Sequence, residues 1–166
     1  MPLGDRLLLT DSIHLATEKS SYRKATMVRE LFETLKKEYN IKQIYIEENL
    51  QAFRRGLSSA RTLSTLARFN GIVSFLAQDV FQIPVEMLNV NHARKSIGLK
   101  TDRKIKKEVS IKEQVVNWIK IQPDFKNFTW PTKTLKSGPR KGQTIMAPRC
   151  FDIADASVIC LAGLSN

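Results

Sequence analysis

Two short apolar segments, IKQIYIEE at 41–48 and IPVEMLNV at 83–90, are separated by a stretch of helical period. That alternation constrains the fold more than any other feature. Each apolar segment has the length of a strand, and two strands flanking a helix pair in parallel through a crossover. The helix between them is predicted from Ser58 or Ser59 to Ala77, with an apolar face of Leu63, Leu66, Ala67, Ile72, Val73 and Leu76. Gly71 interrupts it at a cost of about 1 kcal/mol relative to Ala, which suggests close backbone packing there. An earlier helix is predicted from Ser21 to Tyr39, capped by Ser20 or Ser21, with Ala25, Val28, Leu31, Phe32 and Leu35 at helical spacing and Asn40 as its stop. Before it, RLLLTDSIHLAT at 6–17 reads as extended, with an irregularity at Asp11–Ser12. The expected class is α/β, a mixed sheet flanked by helices.

The remaining half is read differently. Ser110 and Glu113 have capping-box spacing, so a helix is expected from Ser110 to Ile121, with Trp118 in the core. Residues 122–149 contain Pro123, Pro131, Pro139 and Pro148 and read as a long basic loop within a single domain spanning 1–166. A final helix is expected from Asp152 to Leu164. The chain has 166 residues, of which 42% are hydrophobic, enough for one core. No apolar run approaches the length of a membrane span, and the N-terminus lacks the basic start of a secretory signal.

Charge is distributed unevenly. Residues 91–149 hold 15 Lys/Arg and 4 Asp/Glu, and the other 107 residues hold 12 of each. All of the net +11 therefore belongs to one contiguous third of the chain. A local field of one sign fits a polyanion, most commonly nucleic acid, or else a solvated surface. Within that third, Arg94, Lys100, Lys104, Arg140 and Lys141 are candidate DNA contacts, as are Phe53, Arg54, Arg55 and Arg61 around the start of the second helix. Trp130 lies among lysines with Phe125 and Phe128 nearby. It either stacks on unpaired bases or anchors the loop in a small aromatic cluster.

Cys150 and Cys160 form no ligand motif, and His14 and His92 stand alone, so a zinc site is not expected. Both cysteines read as buried, reduced thiols of an intracellular protein.

Asp152 and Asp155 are three residues apart on a predicted helix and project to one face. Alone, such a pair need only charge a helix N-terminus, where the dipole favours acids. Glu47, however, closes an apolar strand, a position where α/β folds gather functional groups. Three such carboxylates can hold hard divalent cations, and a Mg²⁺ pair activates water in phosphodiester hydrolysis.

The ordered set resembles the RuvC family of Holliday-junction resolvases, which have an RNase H-like fold. Ile46-Glu47 resembles the family's strand ending in Ile-Glu, and Asp152-Ile153-Ala154-Asp155-Ala156 resembles its C-terminal acidic motif. Arg94-Lys95-Ser96-Ile97-Gly98 resembles a Lys-containing segment after the fifth strand, and Lys112 a Lys opening the penultimate helix. The similarity covers most of residues 12–164, with 122–149 as an insertion. It implies a homodimer that cuts four-way DNA junctions in recombination and repair, using Mg²⁺ or Mn²⁺. It implies Glu47, Asp152 and Asp155 as catalytic metal ligands, and Lys95 and Lys112 as catalytic phosphate contacts. The family's junction wedge has its nearest equivalent at Leu50, with Phe53 three residues on. In the family, the helix equivalent to the second one here forms much of the dimer interface. A location in cytoplasm or nucleoid, or in a mitochondrion, would follow.

One departure matters. The family places a fourth carboxylate, an Asp, on a central first strand, and this chain has no room for that strand before Ser21. Asp11 and Asp5 are poor substitutes. The expectation is an RNase H-like sheet incomplete at the N-terminus, with this chain weak or inactive as given. Two rival readings are a non-catalytic nucleic-acid-binding module of the same fold and an RNase H-like nuclease acting on another substrate.

Overall fold

The computed structural model describes residues 9–48 and 60–165. Phe53, Arg54, Arg55, Leu50 and Asp5 lie outside the described residues, as does the expected helix start at Ser58 or Ser59. The fold is α/β. It divides into two compact units, one of residues 13–90 and one of residues 91–165 with 9–12.

The first unit contains helix α1 (Ser21–Glu38), strand β1 (Ile44–Glu47), helix α2 (Ala60–Phe81) and strand β2 (Val85–Leu88). Ser20 caps α1 by accepting the Arg23 N–H, and the extended backbone of Tyr39 ends it. Residues 9–15 form no strand with any described residue; Asp11 Oδ1 accepts the Ser12 N–H at 2.7 Å. β1 and β2 pair in parallel, with Ile44 opposite Val85 and Glu47 opposite Leu88, as the strand–helix–strand pattern requires. Among the described residues, β2 is the sole strand on β1.

The helices of this unit are joined along their C-terminal halves. Phe32 and Phe81 meet with ring centroids 5.5 Å apart, and Arg29 bonds Asp79 at 2.9 Å. Lys36 Nζ donates to the Val80 carbonyl at 2.6 Å, near the end of α2 where helical carbonyls lack internal partners. Core burial on α2 is confined to Leu76, Ala77 and Val80. Two departures from expectation follow. Leu66 is 56% exposed and Ala67 is also exposed, so the apolar face reaches beyond the packed part of the helix. A Cβ on Gly71 would meet nothing within 4 Å among the described residues, so no close approach among them explains that glycine.

The second unit holds α3 (Val90–Ser96), α4 (Ile111–Lys120), a 3-10 turn (Pro123–Phe125), strands β3 (Thr132–Thr134) and β4 (Thr144–Met146), and α5 (Arg149–Leu164). Its core is the α4–α5 contact, to which α4 brings the buried Val115, Val116 and Ile119 and α5 the buried Ile153, Ala154 and Val158. Ser110 closes the expected capping box on α4: its Oγ accepts the Glu113 N–H, and its own N–H bonds Glu113 Oε2 at 2.8 Å. Trp118 is half-buried rather than fully internal.

The stretch 122–149 is not a structureless loop. It forms an antiparallel hairpin with Thr132 opposite Met146 and Thr134 opposite Thr144. Gly138 and Gly142 take φ of +81° and +87°, which only glycine adopts without strain, and so turn the chain at the tip. The hairpin escaped prediction because its strands are three residues long and lack apolar alternation. Its base is fixed by the Pro131 carbonyl, which accepts the Ala147 N–H at 2.9 Å and the Cys150 thiol at 3.0 Å. Cys150 is buried as expected, whereas Cys160 is exposed; both are free thiols.

Candidate functional site

The acidic pair lies on α5, but not as its first turn alone. The helix starts at Arg149, three residues before the expected start, so Asp152 ends the first turn and Asp155 occupies the second. The helix dipole therefore favours Asp152 more than Asp155. Asp152 is exposed. Asp155 is held: Arg94, from the last turn of α3, donates to its Oδ1 at 3.2 Å, with the side chains 22% and 29% exposed. Among the described residues the buried Arg94 Nε has no hydrogen-bond partner. Arg94 is thus committed to a carboxylate, which differs from the free phosphate contact expected of it.

Lys112 is exposed on the first turn of α4, with its Nζ 5.8 Å from the ring centre of Phe151, the neighbour of Asp152. Within this unit the fold therefore gathers Asp152, Asp155, Arg94 and Lys112 around the start of α5. Lys95 and Lys100 are exposed and, with Arg94, line a shallow cleft of about 240 Å³ at the end of α3. Lys104 is exposed in the run between α3 and α4, and Arg140 and Lys141 are exposed at the hairpin tip.

Trp130 is half-buried in an aromatic cluster. Its ring centroid is 5.1 Å from Phe128 and 6.3 Å from Phe125, and Lys120 Nζ lies 5.6 Å from its ring centre. These contacts anchor the segment before β3 to the end of α4, matching the second of the two roles considered for this tryptophan.

In the first unit, Glu47 ends β1 and its register continues one step: the Glu48 N–H bonds the Leu88 carbonyl at 2.9 Å. Asn70 of α2 donates from Nδ2 to the Glu47 carbonyl at 2.9 Å. Ser74, one turn on, donates to the Asn70 carbonyl at 2.9 Å, and its Oγ lies 3.3 Å from Asn70 Oδ1. The strand end that carries Glu47 is therefore tied to a helix through an oriented amide. Nothing in the sequence pattern marked Asn70, because a single polar residue at a helical spacing looks like any solvated position. Arg61 is exposed on the first turn of α2.

The donor chemistry fits a hard cation in part. Asp152 and Asp155 offer carboxylate oxygens one turn apart, as Mg²⁺ prefers, but a cation at Asp155 competes with the Arg94 guanidinium. Within either unit, among the described residues, no three His, Cys, Asp or Glu side chains come together. Among the described residues no helix is long and apolar enough to cross a membrane. No family model, curated protein or solved structure matches this chain.

Proposed function

We propose that the chain is an RNase H-like, metal-dependent DNA endonuclease of RuvC type, acting on four-way junctions in recombination. The observation that carries this reading is the acidic pair within a basic unit. Residues 91–165 hold 15 Lys/Arg and 6 Asp/Glu, yet Asp152 and Asp155 sit together on one helix. Cations spread around a carboxylate pair suit a polyanion whose backbone is to be hydrolysed.

On this reading Asp152 and Asp155 would hold Mg²⁺ or Mn²⁺, and Glu47 keeps the ligand role that the RuvC resemblance implies. The bound ions would supply Lewis acidity and an activated water. Lys112 and Lys95 would neutralise charge developing on the scissile phosphate, a contribution of preorganised electrostatics. Asn70 would hold the Glu47 backbone in place. The exposed apolar residues Leu66 and Phe75 on α2, the latter 66% exposed, support assembly as a homodimer. Light scattering at micromolar concentration should give twice the chain mass; a monomer would remove the dimer from this account.

A second reading has its own support. Asp155 is already neutralised by Arg94, which suits a non-catalytic nucleic-acid-binding module. A cleavage assay separates the two readings. Labelled four-way junction, duplex and RNA–DNA hybrid are each incubated with the protein and Mg²⁺, with EDTA as control. Slow paired nicking of the junction, in keeping with the weak activity expected of this chain and lost in Asp152→Asn, is the expected outcome. Tight junction binding with no cleavage in Mg²⁺ or Mn²⁺ would favour the non-catalytic module, and hybrid cleavage alone would point to an RNase H-like nuclease with another substrate.

A further inference from the structure

The basic run between α3 and α4 is held in one shape. Residues 100–109 carry Lys100, Arg103, Lys104, Lys106 and Lys107 against Asp102 and Glu108, and residues 102–108 are all exposed. Mutual repulsion would ordinarily extend such a segment. Here one side chain secures both ends. Gln114, in α4, accepts the Asp102 N–H on Oε1 at 2.7 Å and donates from Nε2 to the Asp102 carbonyl at 2.8 Å. The same Nε2 donates to the Val109 carbonyl at 3.0 Å. A side-chain amide has two N–H donors and a carbonyl acceptor, so all three bonds form together.

The interior of the loop is ordered as well. The Asp102 carboxylate accepts the Lys104 N–H at 2.7 Å, and the Glu108 and Val109 N–H groups both bond the Ile105 carbonyl at 2.9 Å. Asp102 is therefore used on backbone. Among the described residues none of the five cations makes an ion pair. The result is a set of unneutralised cations on a folded turn. It is continuous through Lys100 with the cleft that Arg94 and Lys95 line.

The geometry points to the 100–109 loop as a preformed phosphate-binding surface for nucleic acid, with Gln114 as its positioning residue. This inference rests on the nucleic-acid reading above and adds the element that makes the contact. A fixed loop matches a partner whose phosphates are fixed. Lipid headgroups rearrange and need no such order, and one exposed isoleucine, Ile105, is little apolar area for a membrane. Because the loop is ordered beforehand, less conformational entropy is lost on binding.

The test is fluorescence anisotropy of a labelled duplex and a labelled four-way junction with the full chain, over a KCl series. The triple variant Arg103→Gln/Lys104→Gln/Lys107→Gln should bind at least about tenfold more weakly, with a log–log salt slope shallower by roughly 2–3. Gln114→Ala should weaken binding by about threefold to tenfold at unchanged far-UV dichroism, and this loss should vanish in the triple background. Gln114→Met keeps the side chain's length, adds no charge and loses all three bonds, so it should match Gln114→Ala; with the triple variant it carries the test if Gln114→Ala does not fold. Wild-type binding that the triple variant leaves unchanged would overturn this inference and leave the nucleic-acid reading intact. A Gln114 effect that persists in the triple background would also overturn it. Absence of any salt-dependent binding by the wild type would remove both. Sedimentation with phosphatidylserine vesicles, lost in the triple variant and without duplex binding, would assign the loop to a membrane and overturn it too.

Discussion

Arg94 donates a hydrogen bond to the Asp155 carboxylate at 3.2 Å, joining α3 to the second turn of α5. Both side chains are mostly buried, so solvent screens the pair less than an exposed one. A double-mutant cycle of Arg94→Met and Asp155→Asn in urea should return a coupling of about 1 kcal/mol, above the usual exposed pair. Coupling near zero would show that the pair contributes nothing to folding. Under the proposed function the same Asp155→Asn change should also abolish cleavage, whereas junction binding should persist.

The capping box makes the stability of α4 depend on pH. Hydrogen bonding from the Ser110 hydroxyl, and after it from the Ser110 backbone N–H, holds the Glu113 carboxyl below its ordinary value of 4.5. A carboxyl with a folded-state pKa below its unfolded one stabilises the fold above the unfolded value. That contribution is lost as pH falls through the folded value. Glu113→Gln should therefore flatten the decline in stability below pH 4.5, read as Tm against pH beside the wild type. Ser110→Ala should cost about 1 kcal/mol at neutral pH, the usual cost of removing a serine N-cap.

The parts of the fold that were legible in the sequence are those written in local periodicity. The Ser20 cap, the α1 pattern, the two apolar strands and the Ser110–Glu113 box each depend on residues within one or two turns of each other, and each is present. The hairpin was not legible, because the Pro131 carbonyl and two glycines at its tip secure it rather than strand propensity. α3 was missed because VNHARKS is too short and too polar to show a period. The candidate site divides the same way. Asp152 and Asp155 share a helix and could be paired by counting. The partnership of Arg94 with Asp155, 61 residues apart, and that of Asn70 with Glu47 are tertiary and left no pattern.

Gly71 offers a gain in stability. It lies in the middle of α2, and a Cβ there would meet open space. Gly71→Ala should raise unfolding stability by about 1 kcal/mol, since alanine loses less backbone entropy in a helix. Urea denaturation at submicromolar protein checks this with little contribution from self-association. A destabilised variant would mean that something outside the described residues occupies that space.

The two thiols should differ in reactivity. Although Cys160 lies at the surface, the atoms packed around its sulfur keep water from the thiolate; this desolvation, and after it the negative charge of Asp124, pushes the thiol above its ordinary value. The thiolate is the reactive form, so at pH 8 Cys160 should react with a disulfide reagent more slowly than free cysteine. Asp124→Asn should speed it. Cys150 should stay unmodified until the chain unfolds, because it is buried and its Sγ donates to Pro131.

Asn70 connects the fold to the candidate chemistry. Its Nδ2 bonds the Glu47 carbonyl at 2.9 Å, and Ser74 orients it from one turn away. Asn70→Leu removes the donor and leaves that carbonyl without this bond, at a cost of about 1–2 kcal/mol for a half-buried acceptor. Asn70→Asp is the sharper substitution. It is nearly isosteric but sets a carboxylate oxygen where the amide donated, so a lone pair faces the carbonyl. Under the proposed function both variants should lower the cleavage rate on junctions by tenfold or more, about 1.4 kcal/mol at the transition state. Junction affinity should change little, because none of the proposed DNA contacts involves Asn70. An equal loss of binding and rate would instead show that Asn70 supports the fold as a whole and does not set the position of Glu47.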